Sequence, residues 1–120
     1  MENQVSFKEV KACPERYVLA ISDTLNVLTG KWKLPIIGTL FYNKKRFEEI
    51  KNNIPRITPG ILSKELRELE TNGIIKRVVP DSVPVAAEYE LTDSGRNLKE
   101  VLDRMLQWGI QHRDWVNASI

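Results

Sequence analysis

The 120-residue sequence predicts an α+β fold that is mostly α, and three observations carry that reading. Apolar residues recur at helical spacing in four successive segments between residues 14 and 71. The period then changes once, between residues 74 and 91, to β-branched and alternating residues. A last, long helical pattern follows to about residue 116.

The first helix begins at Pro14, because a first-turn proline leaves no unpaired N–H. Val18, Ile21, Leu25 and Leu28 share one side of it, and Gly30 is its stop signal. A second segment, Trp32 to Phe41, places Trp32, Ile36, Ile37 and Leu40 together, with Pro35 tolerated in its first turn. Asn43 and Lys44 break that pattern. Residues 46–53 make a short third helix with Phe47 and Ile50 inward and Glu48, Glu49 and Lys51 outward, ended by Pro55. Glu48 and Glu49 read as a solvated face, since adjacent helical residues do not converge. Thr58-Pro59 opens the fourth helix as N-cap and first-turn proline, and Asn72-Gly73 closes it.

Ile74 to Val79 and Glu88 to Leu91 are the two strands of an expected β-hairpin, with Pro80-Asp81-Ser82-Val83-Pro84 as turn material at its tip. Thr92-Asp93-Ser94 then caps the final helix. Two helices joined by a short turn, followed by a hairpin, make a winged helix-turn-helix. The expected division is a polar N-terminal arm over residues 1–12 and one domain over 13–120. Within it, the helix-turn-helix covers about 46–72, the wing about 74–91 and a dimerisation helix about 92–116.

Composition narrows the function. Hydrophobic residues at 42% and charged residues at 28% are an ordinary globular balance. No apolar run approaches the roughly 18 residues of a membrane span. The N-terminal residues lack the apolar core of a secretory signal, so a cytoplasmic location with no membrane partner is expected. One cysteine and one histidine leave no basis for a structural zinc site or an intrachain disulfide. Net charge is only +2, yet residues 31–77 hold 11 Lys/Arg against 5 Asp/Glu, and the rest of the chain is acidic. A basic middle between acidic ends suits a face that meets phosphates, and equally a patchily charged solvated surface.

The fourth helix sharpens that choice. Leu62, Leu66 and Leu69 form its buried stripe, while Gly60, Lys64, Arg67 and Thr71 project from the other side with Ser63 on the flank. A small residue in the first turn permits close approach to a major groove, where Lys64 and Arg67 reach guanine edges or phosphates. Thr58 and Pro59 set the entry of this helix. Lys76 and Arg77 on the hairpin, with Arg46 and Arg56 before the helix, complete the expected DNA-binding set.

The chain resembles the HxlR-type family of winged helix regulators, relatives of the MarR class. The matching residues are Cys13-Pro14, Gly30-Lys31-Trp32-Lys33, Arg46-Phe47, Ile54 to Thr58, Leu62 to Glu70, Gly73-Ile74-Ile75, Glu88 to Thr92 and Gly95. They keep the family's order over residues 13–116. The resemblance implies a homodimeric, sequence-specific transcription regulator of bacterial type, acting on a palindromic double-stranded DNA operator. Its terminal helices would form much of the dimer interface. Pro84-Val85-Ala86-Ala87 stands where the family has a Pro-Pro-Arg-Val-like tip, so the usual wing arginine is missing. Cys13 to Gly30 is also a longer interval than the family commonly has. Cys13 therefore has two readings, a redox or electrophile sensor near a helix N-terminus and an inert cysteine. A small-molecule or redox effector accompanies the first of these.

Enzymatic chemistry finds no footing in the motifs. No phosphate-binding loop, dinucleotide fingerprint, zinc-protease motif or nucleophile elbow occurs, and no cofactor is expected. His112 reads as a helix-face or interface histidine, and Trp32, Trp108 and Trp115 as packing residues. Two alternatives remain beside DNA binding. A winged-helix protein–protein module would keep the fold without using the basic face, and a thiol enzyme would depend on Cys13.

Overall fold

A computed structural model describes residues 14–79 and 87–118. Cys13, the arm before it and the wing residues Pro84, Val85 and Ala86 lie outside the described residues. The elements in order are α1 (Pro14–Leu28), α2 (Lys33–Thr39), β1 (Lys45–Arg46), α3 (Phe47–Asn53), α4 (Pro59–Thr71), β2 (Ile75–Val78), β3 (Glu88–Leu91) and α5 (Asp93–Ala118).

The expected winged helix-turn-helix is the observed fold, with one difference in the wing. Its sheet has three antiparallel strands in the order β1-β3-β2, where the sequence indicates two. Ile75 pairs with Leu91 and Arg77 with Tyr89, while on the other edge of β3 Lys45 pairs with Tyr89 and Arg46 with Glu88. β1 is two residues long and neither is β-branched, so no local pattern announces it. Pairing with a strand 43 positions later creates it. Arg46 consequently belongs to β1 and caps α3, with its N–H donating to Glu49 Oε1 at 2.8 Å. α2 is also shorter than the apolar pattern, with Trp32 and Leu40 as its flanking caps.

The core is aliphatic. Ile36 and Ile37 of α2, Ile50 of α3, Leu62, Leu66 and Leu69 of α4, Ile75 and Leu91 meet in it with at most 2% exposure. One stripe of each short helix is thereby removed from water, at roughly 1.5–3 kcal/mol per fully buried aliphatic side chain. The long terminal helices contribute little. Among the described residues, α1 buries only Leu28, and α5 buries only Gly95 while packing Leu98 and Leu102 partly against the core.

Both ends of α4 are fixed by the backbone signals in its sequence. Thr58 Oγ1 accepts the Ile61 N–H at 3.2 Å, and Pro59 is the first helical residue. At the far end Ile74 N–H donates to the Leu69 carbonyl and Gly73 N–H to the Glu70 carbonyl, at 2.9 and 3.0 Å. With Gly73 at φ +77°, this is a Schellman closure. Thr92 ties that closure to α5. Its hydroxyl donates to the Gly73 carbonyl at 2.6 Å and accepts the Gly95 N–H at 3.1 Å.

Candidate nucleic-acid interface

α4 presents one face to solvent and the other to the core. Ser63, Lys64, Arg67 and Thr71 are exposed, as are Thr58, Pro59 and Gly60 at its entry. Arg67 Nη2 lies 3.5 Å from Ser63 Oγ, one turn back, and no carboxylate is within ion-pair distance of Arg67 among the described residues. Lys64 approaches Glu68 at 3.7 Å, a solvated pair that a phosphate can displace. The outer face is therefore polar, basic and without bulk in its first turn.

Arg56 sits in the turn that aims this helix. Ile57 N–H donates to the Ile54 carbonyl at 3.4 Å, with Pro55 second in the turn and Arg56 third at φ +71°. A left-handed arginine is disfavoured by about 1–2 kcal/mol, and glycine is the residue this position ordinarily selects. Arg56 is exposed, and with Lys31, Trp32 and Pro35 it lines a groove between the turn and the start of α2. Lys31 Nζ lies 4.9 Å from the centre of the Trp32 ring.

The wing divides its two basic residues. Strand alternation sends Lys76 and Arg77 to opposite faces of β2. Lys76 approaches Glu90 across the ladder at 3.4 Å, while Arg77 is opposite Tyr89. Arg46, on the other edge of the sheet, is exposed. The structure thus gathers Ser63, Lys64 and Arg67 on one helix face with Thr58 and Pro59 at its entry. Arg46, Arg56, Lys76 and Arg77 occupy three separate elements around it.

A further charged cluster joins α2 to α4, at residues that no functional motif marks. Lys33 of α2 is 8% exposed, and its Nζ donates to Glu65 Oε1 at 2.7 Å and to Glu68 Oε1 at 2.6 Å. Burial works to lower the Lys33 pKa, but the two carboxylates outweigh it and hold the ammonium above its ordinary value. The hydrogen bond and charge of Lys33, with Lys64 adding less, hold Glu68 below the usual carboxylate value. The signal was present in the sequence. Lys33 falls three, four and seven residues before Ile36, Ile37 and Leu40, at an apolar position of α2.

Comparison with known proteins gives this arrangement its context. The HxlR-like helix-turn-helix family matches residues 27–117. The HTH-type transcriptional regulator YtcD of Bacillus subtilis (strain 168) is 43% identical over 98 residues, covering 82% of this chain and 78% of the relative. The redox regulator HypR in its reduced form superposes with a TM-score of 0.73 at 39% identity, over 82% of this chain and 98% of HypR. Quinone-bound YodB from B. subtilis gives a TM-score of 0.66 at 34% identity, over 82% of this chain and 99% of YodB. Among the described residues no helix is long and apolar enough to cross a membrane. A capped helix with a basic outer face, a hairpin behind it and relatives that are transcriptional regulators agree, and the chain belongs to the HxlR-like helix-turn-helix family of DNA-binding transcriptional regulators.

Proposed function

We propose that this regulator acts as a homodimer on a palindromic DNA operator, with α4 lying in the major groove. The observation that carries the reading is the outer face of α4, where Ser63, Lys64 and Arg67 are exposed and Arg67 has no carboxylate partner among the described residues. In this assignment Ser63, Lys64 and Arg67 meet base edges, and Thr58 and Pro59 fix the approach of the helix. Arg46, Arg56, Lys76 and Arg77 hold phosphates. The helix-turn-helix over about 46–72 and the wing over about 74–91 form the reading head of the domain.

Dimerisation is supported by apolar surface that one chain leaves in water. α5 exposes Met105, Leu106, Trp108, Ile110 and Trp115, and α1 exposes Val18, Leu19, Ile21 and Leu25. A second copy related by a twofold axis covers such a surface and places two α4 helices roughly 34 Å apart on successive grooves. The protein–protein alternative has no comparable support, because it leaves the basic face of α4 unused.

HypR is a redox regulator by name, and YodB was solved with quinone bound. On that likeness an oxidant or electrophile acting at Cys13 is the proposed effector. An operator response to diamide or a quinone that Cys13→Ser abolishes supports this, and indifference of the native chain makes Cys13 inert. The main reading is tested by gel shift on DNA upstream of the chain's own gene, with light scattering for mass. A dimer that retards a specific fragment is expected. A monomer with intact operator binding, or no retardation of any fragment, contradicts it.

A further inference from the structure

The charges of α4 by themselves do not favour DNA. It carries Lys64 and Arg67 against Glu65, Glu68 and Glu70, so acids outnumber bases on the element that faces phosphates. Lys33 changes that balance from outside the helix. Its ammonium reaches across from α2 to two of the three carboxylates, at 2.7 and 2.6 Å, from a site almost closed to water. Glu68 extends the chain of charge, since its other oxygen lies 3.7 Å from Lys64. The cluster also borders the reading face, because Lys33, Lys64, Arg67, Glu68, Thr71 and Asn26 line one groove.

We propose that Lys33 is a positioning residue for DNA binding, joining α2 to α4 and cancelling the negative charge that Glu65 and Glu68 would otherwise present to the phosphates. It touches no DNA in this account. The ion pairs act through α4: they fix its rotation against α2 and leave Arg67 and Lys64 as the dominant charges of the outer face. A partly buried pair is screened by salt far less than a surface one, so the compensation persists at ionic strengths that mask surface charges. The inference rests on α4 being the DNA-reading helix.

The test uses the full chain and a duplex selected by it from a random-sequence pool. Lys33→Gln keeps a hydrogen-bond donor but leaves Glu65 unpaired and Glu68 with Lys64 alone, and its association with the duplex is expected to slow about tenfold. Lys33→Arg should bind as the native chain does. The triple variant Lys33→Gln, Glu65→Gln, Glu68→Gln removes all three charges and should recover the lost affinity. Glu68→Gln alone retains the Lys33–Glu65 pair, so it remains informative even where Lys33→Gln does not fold, and it should bind DNA more tightly than the native chain. Unchanged binding by a folded Lys33→Gln, a folded triple variant that stays weak, or Glu68→Gln binding no better than native overturns the proposal. Arg67→Ala in the same assay separates the two claims. If it weakens binding while the Lys33 and Glu68 variants behave as native, only the role of Lys33 fails. If the native chain selects no duplex, both fail.

Discussion

At the scale of single residues, two side chains sit where folding alone would choose something else. Arg56 adopts φ +71° in an exposed turn that favours glycine, and strain of this kind concentrates at functional sites. Arg56→Gly relieves the strain and removes the charge. Its stability in urea should match or exceed the native value, by up to about 1–2 kcal/mol, while DNA affinity falls. A loss of stability with unchanged affinity would make Arg56 a packing residue. Lys33 gives a prediction in pH. Glu68 has its pKa lowered in the fold, so its contribution to stability is present above the ordinary carboxylate value of 4.5 and is lost as pH falls through the depressed one. The Lys33 pKa is raised, so its contribution holds below the ordinary 10.5 and is lost as pH rises through the folded value. Between those limits, removing the Lys33 charge by Lys33→Gln should destabilise the fold, with the larger share from Glu65, whose side chain is 12% exposed against 42% for Glu68. Urea unfolding should show that difference shrinking once the carboxylates are protonated. A constant difference across pH would assign the effect to packing.

At the scale of elements, what was legible in the sequence is whatever local chemistry determines. Thr58-Pro59 and Asn72-Gly73 delimit α4 because capping and left-handed closure depend on adjacent residues. The leucine stripe of α4 follows from helical period alone. β1 was hidden because Lys45-Arg46 becomes a strand only through β3. The Lys33 cluster was hidden for a related reason: helical spacing put Lys33 on the apolar side of α2, but its partners are 32 and 35 residues away. The joint between α4 and α5 has the same character. Gly95 admits the start of α5 against the backbone leading into β2, since a Cβ there would collide with the Ile74 carbonyl oxygen. Gly95→Ala must move α5 away from the Schellman closure of α4, and overpacking of this kind costs about 1–3 kcal/mol. Thermal unfolding checks the loss. A variant as stable as the native chain would show that this contact yields without cost.

At the scale of the whole molecule, the charge distribution and the exposed apolar helices describe one division of labour. The basic residues cluster in the middle of the chain, on and around α4 and the wing, while α1 and α5 leave large apolar side chains in water. In the proposed dimer, a head that meets DNA and a tail that meets a second copy account for both. Arg67 carries the assignment of α4, because it is the basic residue of that face with no carboxylate within ion-pair distance among the described residues. The decisive measurement is equilibrium binding of native chain and Arg67→Ala, by fluorescence anisotropy over a range of salt, to the selected duplex and to a scrambled one. Native affinity should favour the selected duplex and fall steeply with salt, by about 10³–10⁵-fold between roughly 50 and 200 mM if a dimer engages about 6–10 phosphates. Arg67→Ala should lose about 1–3 kcal/mol on the selected duplex and little on the scrambled one. Equal native affinity for the two duplexes, or Arg67→Ala binding the selected duplex as tightly as the native chain, would contradict α4 as the element that reads DNA.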